Sequence, residues 1–296
     1  MLLKAAMLIA ATLLLGAGLY RYWLLGRATK VTVAMGLVGV AALLTFSFLD
    51  LRAALLNVRP SADASLLWRY AATSGHGVAV QVRAALALAL GVLAVIPDAT
   101  GRSVGGAYLV AAVGLLSTFS VISHGAVMGG WLPLLSDLVH FLAAGLWSGA
   151  VFALVLAPLW REERRPALVV AMRKMSGLGL AAVLVLALTG VFNALVHAGD
   201  PERFVGSTYL LALAVKLAMV AATIALAGAN RFRFLPRLLS GRELAPLRAA
   251  MRVEAVLLLA VLVATGWLST TAVPHGSEVS VDALRNAGKL IDYLGR

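Results

Sequence analysis

Apolar residues run along this chain in long unbroken stretches, without the short amphipathic rhythm of a soluble fold. Eight stretches are long enough to cross a bilayer as helices, near residues 3–20, 31–49, 77–96, 105–123, 134–157, 175–197, 207–228 and 252–272. Turn-forming and charged residues separate them: Pro97-Asp98 with Gly101, the run from Arg161 to Pro166, Asp200-Pro201, and the segment from Arg231 to Pro246. The predicted fold class is all-α, a single integral-membrane domain over residues 1–296 built as an eight-transmembrane-helix bundle. Two further segments read as amphipathic helices on the outer membrane surface. In the first, near 61–72, Ser61 is placed to cap a helix carrying Leu66, Leu67, Trp68 and Tyr70. In the second, near 278–294, Val281, Leu284, Ile291 and Leu294 recur close to helical spacing.

Composition agrees with the pattern: 61% of the 296 residues are hydrophobic and 13% charged, against about 45–50% and about 25% in soluble domains. The net charge of +12 does not point to nucleic acid, because the basic residues sit in short loops between apolar runs. The loops after the first, third, fifth and seventh spans hold 3, 1, 5 and 6 Lys and Arg residues. The other side holds seven: Arg52, Arg59, Arg69, Arg203, Arg285, Lys289 and Arg296. By the rule that cytoplasmic loops collect basic residues, both termini lie outside, on the periplasmic face of a cell inner membrane. The first span has one early Lys4 within it, a longer apolar stretch and basic residues behind it, which predicts a retained helix rather than a signal peptide. There is no cysteine, so disulfides and thiolate metal sites are excluded. The chain has no GxxxxGK[ST] loop and no inner loop long enough for a nucleotide domain, which disfavours an ATP-driven pump.

The threading gathers all five histidines at or near the outer side, and neutral imidazole is the commonest metal ligand. His76 opens the third span, His124 closes the fourth, His197 closes the sixth and His275 follows the eighth. His140 lies within the fifth, about 10 Å along the axis, where a polar group needs a partner or a cavity. Asp137 precedes it by three residues on the same helix face, able to orient the imidazole or bind metal itself. Asn193 and His197 share a face of the sixth span, and Met128 follows His124 in a glycine-rich turn. Each residue also has a plain reading: interfacial histidines, a helix-capping Asp137, a packing Met128. Taken together, imidazoles, one carboxylate and one thioether without thiols suit copper better than magnesium or calcium, and zinc also fits the ligand types. The oxidation state of copper is left open.

Three charged residues inside or near spans, Arg83, Lys216 and Glu254, predict structural pairing, with Glu254 at long reach of Lys216 and Arg83 snorkelling outward or meeting Asp137. Met219 mid-span, with Met35, Met172, Met175 and Met251 near the inner ends, reads either as a ladder for Cu(I) or as packing filler. Two weakly related four-helix halves are also visible. Thr73-Ser74-Gly75-His76 with Arg83 parallels Ser207-Thr208-Tyr209 with Lys216, and Ser123-His124-Gly125 parallels Pro274-His275-Gly276.

These motifs together resemble the CopD/PcoD family of copper-resistance membrane proteins. The resemblance runs through Ser123-His124-Gly125, Asp137-x-x-His140 to Trp147-x-Gly149, Leu188-Thr189-Gly190, Tyr209 to Lys216, Gly228-Ala229-Asn230-Arg231 with Pro236, Glu254 and Pro274. It is strongest over 120–275, and the Thr73 to Arg83 segment is similar to a family element with altered spacing. It implies an eight-helix inner-membrane protein that handles copper, often beside a periplasmic CopC-type carrier. Within it, His124, Asp137 and His140 match the family motifs best. The expected function is a non-enzymatic copper transporter that accepts copper at the outer face. The candidate metal residues are His140, His124, His197, Asp137, His76, His275 and Met128. Two alternatives stand beside it: a haem b- or copper-dependent membrane redox protein, and a copper sensor or assembly scaffold without transport. A transmembrane haem relay would need histidines near both faces, and the inner face has none.

Overall fold

The computed structural model describes residues 1–26, 28–96, 102–122, 131–198, 205–242 and 244–271; of Arg102, His197 and Ala198 it describes the backbone alone. Its elements are α1 (Leu2–Gly18, continued by a π-helical turn Leu19–Leu24), α2 (Lys30–Val58), α3 (Ala64–Thr73), α4 (Gly75–Val95) and α5 (Arg102–Ser120). These are followed by α6 (Trp131–Leu156), α7 (Arg165–Ala198), α8 (Thr208–Ala229, continued by a π-helical turn Asn230–Phe234), α9 (Leu235–Leu239) and α10 (Ala245–Leu268). No strand occurs among the described residues.

Side chains satisfy the free amides at several helix starts. Thr29 and Thr32 form a reciprocal capping box before α2, Ser74 accepts from the Gly77 amide, and Ser207 accepts from the Leu210 amide. The short α3 is capped by Asp63, not by Ser61 as the sequence reading has it. The Asp63 carboxylate accepts from the Leu66 amide at 2.9 Å and the Ser65 hydroxyl at 2.8 Å. A full negative charge against the positive end of a helix is a stronger acceptor than a hydroxyl two residues earlier.

Seven described helical stretches are long and apolar enough to cross a membrane: Leu2–Leu24, Lys30–Val58, Gly75–Val95, Ser103–Ser120, Trp131–Leu156, Glu162–Val196 and Thr208–Leu239. They correspond to the first seven predicted spans. The eighth is present as α10 but is not among the seven; it carries Arg248, Arg252 and Glu254 in its first half. The second amphipathic segment lies outside the described residues.

Helix α1 occupies the centre, packing on α2, α4, α5, α6 and α10. Two apolar clusters meet along it. One joins Met7 and Leu14 to Leu43, Leu90 and Leu115 of α2, α4 and α5. The other joins Tyr20 and Leu24 to Trp147, Leu154, Met172, Met251 and Leu258 of α6, α7 and α10. Small residues make the central crossing possible. A Cβ added to Gly16 would sit 2.4 Å from the Gly149 carbonyl oxygen, so α1 and α6 touch backbone to backbone. The Gly145-x-x-x-Gly149 motif is therefore spent on packing within the chain.

Helices α7 and α8 lie at the periphery: only 6% and 11% of their most apolar windows are buried. Leu184, Leu188, Val191, Leu195 and Leu211 point outward, the side chains expected where a helix faces lipid. Arg83 does not meet Asp137. It is fully buried, with Nε donating to Thr118 Oγ1 at 2.9 Å, Nη2 to the Thr118 carbonyl at 3.0 Å, and the guanidinium 4.0 Å over the Phe119 ring. Nearby acceptors and an aromatic face on α5 satisfy the fork without a reach across the bundle.

Candidate metal centre

The described site chemistry concentrates where α6 packs on α7, with Lys216 of α8 in electrostatic range. Helix α6 supplies Ser136, Asp137 and His140 within five residues, the spacing of one helical face with its edge. Helix α7 supplies Thr189 and Asn193, four apart and likewise on one face. Two lateral links join them. His140 Nδ1 lies 2.9 Å from Thr189 Oγ1, and Asn193 bridges Ser136 and Asp137. In that bridge Ser136 Oγ donates to Asn193 Oδ1 at 2.7 Å, and Asn193 Nδ2 donates to Asp137 Oδ1 at 3.1 Å.

The hydrogen bonds set the imidazole's proton. Thr189 Oγ1 donates its single hydrogen to the Val185 carbonyl at 2.7 Å, and a carbonyl only accepts. The hydroxyl is thus left as an acceptor toward His140, so the proton of the neutral ring belongs on Nδ1. That tautomer leaves the Nε2 lone pair bare, which is the form in which imidazole binds metal. A Cβ at Gly190 would meet His140 Cε1 in ordinary contact at 3.6 Å, so this face of α7 packs against the ring edge.

Lys216 of α8 provides positive charge within electrostatic range of both His140 and Asp137, and Tyr209 at the start of α8 feels the Asp137 carboxylate. Lys216 is therefore matched by Asp137 and not by Glu254. Glu254, on α10, is instead held by Trp147 Nε1, which donates to Oε1 at 3.2 Å, and by the Asn230 amide, which donates to Oε2. Asp137 lies inside α6, six residues past its first, so it does not cap the helix.

His76 belongs to a different set. Its Nε2 lies 3.2 Å from Asp50 Oδ2, which also accepts from Lys4 Nζ at 2.8 Å. The Tyr70 ring meets the His76 ring edge-on with centroids 6.3 Å apart. This set joins α1, α2, α3 and α4, away from the partners of His140. His124, Met128 and His275 lie outside the described residues, and His197 is described only as backbone near the end of α7. Among the described residues no three His, Asp or Glu side chains come together as a metal-holding group.

Sequence reasoning passed over Asp50 and Ser136 and named Thr189 only as part of a motif. For Thr189 a signal was present, since it stands four residues before Asn193, as Asn193 does before His197. For Asp50 nothing local marks its partners, which are 46 and 26 residues away.

Comparison with known proteins bears on this geometry. Residues 169–268 match the family model described as Copper resistance protein D. A curated relative, Copper resistance protein D of Pseudomonas syringae pv. tomato, is 35% identical over 130 residues, covering 41% of this chain and 42% of the relative. The match thus spans less than half of the relative's length. No solved structure matches. Over the matched residues the chain is similar to proteins described as Copper resistance protein D. Thr189, Asn193, Lys216, Asn230 and Glu254 fall within the matched residues 169–268, whereas Asp137 and His140 precede them.

Proposed function

We propose that this chain is a copper-transport protein of the inner membrane, not an enzyme, that accepts copper at its outer face and passes it inward. The observation that carries the reading is His140. It is an imidazole some way into an apolar helix, its Nδ1 proton committed to Thr189 and its Nε2 lone pair left bare. A half-buried polar ring with a fixed tautomer is costly to keep in an apolar helix unless the free nitrogen is used. Similarity to Copper resistance protein D supports copper as the cargo.

Asp137 is the adjacent carboxylate, aligned by Asn193 and charge-matched by Lys216. An incoming copper ion would take His140 Nε2 and compete with the Lys216 ammonium for Asp137. His124, His197, Met128 and the outer pair His76 and His275 are the further ligands proposed for capture and hand-over. A CopC-type periplasmic carrier is the proposed donor. Both termini are proposed to lie on that outer side, since the basic loops favour the cytoplasm.

The test is copper binding by the purified full-length protein together with copper accumulation by cells that express it. His140→Ala should lower both. Wild-type copper occupancy in a variant of wild-type helicity would refute the assignment, and a Soret band in the purified protein would replace it with the haem reading.

A further inference from the structure

At the opposite end of the bundle from His140, the side of the basic loops, α6, α7, α8 and α10 line a half-open cavity of about 180 Å³. Its wall includes Met172, Met175, Trp147, Asn230 and Glu254. Met251, one turn before Glu254 on α10, lies with its sulfur 3.7 Å from Asn230 Nδ2. All of these are buried: Met172, Met251 and Glu254 are 1%, 0% and 1% exposed, Met175 5%, and Asn230 3%.

Two features of this cavity are costly unless something occupies it. The Asn230 carbonyl oxygen, Oδ1, is buried with no hydrogen-bond partner, while its amide is spent on Glu254 and Met251. A buried acceptor of this kind calls for a donor or a cation. The carboxylate of Glu254 receives hydrogen bonds from neutral groups only, Trp147 and Asn230. The backbone is also altered here. The turn from Asn230 to Phe234 is π-helical, and it carries Asn230 inward. Single π turns are frequent at functional sites.

The geometry points to an inner soft-cation site, with the thioethers of Met172 and Met175, Asn230 Oδ1 and Glu254 as the donor set and Cu(I) as the occupant. Thioethers select Cu(I) over the hard divalent ions. Charge makes the same choice. One carboxylate neutralises one monovalent ion, whereas a divalent ion would leave excess positive charge beside Arg231, whose guanidinium is tied to the Ser176 carbonyl and hydroxyl at 3.0 and 2.7 Å. Of the two readings of the inner methionines, this selects a site rather than a ladder: two line the cavity, Met251 borders it through Asn230, and Met219 is not among the lining residues. The inference rests on the copper-handling reading above and supplies an inner station for the cargo.

The test is Cu(I) titration of the full-length protein against a chromophoric chelator under reducing conditions, with X-ray absorption at the copper edge. The Met172→Leu/Met175→Leu double variant keeps side-chain volume, so the fold should tolerate it. It should lose one Cu(I) equivalent, or bind it at least about tenfold more weakly, and lose the copper–sulfur shell. His140→Ala should lose only the copper held at His140 and keep this equivalent with its sulfur shell. A double variant of wild-type helicity that retains the equivalent and the sulfur shell overturns the site. Selenomethionine-labelled Met128→Leu protein gives the same answer with the cavity methionines intact: a copper–selenium shell supports the site, and its absence at full Cu(I) loading overturns it. A copper–selenium shell without cellular uptake would refute transport and leave the site standing. Uptake without that shell would do the reverse.

Discussion

Replacing Thr189 by valine removes one oxygen from the wall around His140 and nearly nothing else. The two side chains have the same shape, but the hydroxyl that accepts from Nδ1 at 2.9 Å is gone. Two consequences follow. The Nδ1 proton loses its half-buried partner, a cost of up to about 1–3 kcal/mol for a group left unpaired. The ring is also released to carry its proton on Nε2, the nitrogen needed for metal. Outer partners of metal-binding histidines are worth about 10–100-fold in affinity, which is about 1.4–2.8 kcal/mol. The two magnitudes agree, so copper bound at His140 should weaken by one to two orders of magnitude in the valine variant, as estimated from that range. Thr189→Ser keeps the oxygen and should bind like wild type. Competition titration of copper against a chelator of known affinity reads the change, and imidazole nitrogen shifts in histidine-labelled protein read the tautomer. If Thr189→Val keeps wild-type affinity and an Nδ1-protonated ring, the tautomer reasoning is wrong.

Other consequences can be measured independently. A methyl group at Gly149 would lie 2.8 Å from the Gly16 nitrogen and 2.9 Å from the Thr12 carbonyl oxygen. Gly149→Ala should therefore destabilise the bundle by about 1–3 kcal/mol through overpacking, despite the better helix propensity of alanine; a thermal midpoint in detergent at or above wild type would contradict the crossing. At the surface, the Leu66 amide holds the Asp63 carboxyl below the usual carboxylate range, with the Ser65 hydroxyl adding to it. Because that carboxyl is lowered on folding, its stabilisation of α3 is present above the ordinary aspartate value of about 3.9 and is lost as pH falls through the lower folded value. The Leu66 amide resonance should titrate with a midpoint below that ordinary value, and a midpoint above it would show that the cap is not formed.

Where the chain crosses the membrane was legible because the signal is local: about twenty apolar residues in a row suffice for a span, whatever surrounds them. The first seven spans emerge with shifted ends: α7 begins at Arg165, ten residues before the predicted start at 175, and α2 runs on to Val58 past the predicted end at 49. Leu51 and Leu55 still find buried contacts there, so the helix outlasts the apolar run. Candidate ligands were legible by type, since imidazole, carboxylate and thioether are recognisable anywhere in a chain. Their partners were not. Arg83, Glu254 and Lys216 were each matched in the reading with the opposite or nearest charge. The fold gives Arg83 a threonine and a phenylalanine ring, and gives Glu254 a tryptophan and an asparagine.

What the amino-acid order determined alone is the class of the molecule: helices in lipid, basic loops gathered on one side, no thiol chemistry, and a set of soft and borderline ligands suited to copper. Tertiary structure decided which of them act together. It put Thr189 against His140 and so chose the nitrogen that stays bare. It separated His76, with Asp50 and Lys4, from that centre, and set two methionines beside Glu254 in a half-open cavity at the other end. These outcomes depend on which helix faces meet across dozens of residues. In an apolar sequence almost every face is equally free to be buried, so the choice falls to small-residue crossings such as Gly16 on Gly149 and to the few polar groups that must find partners.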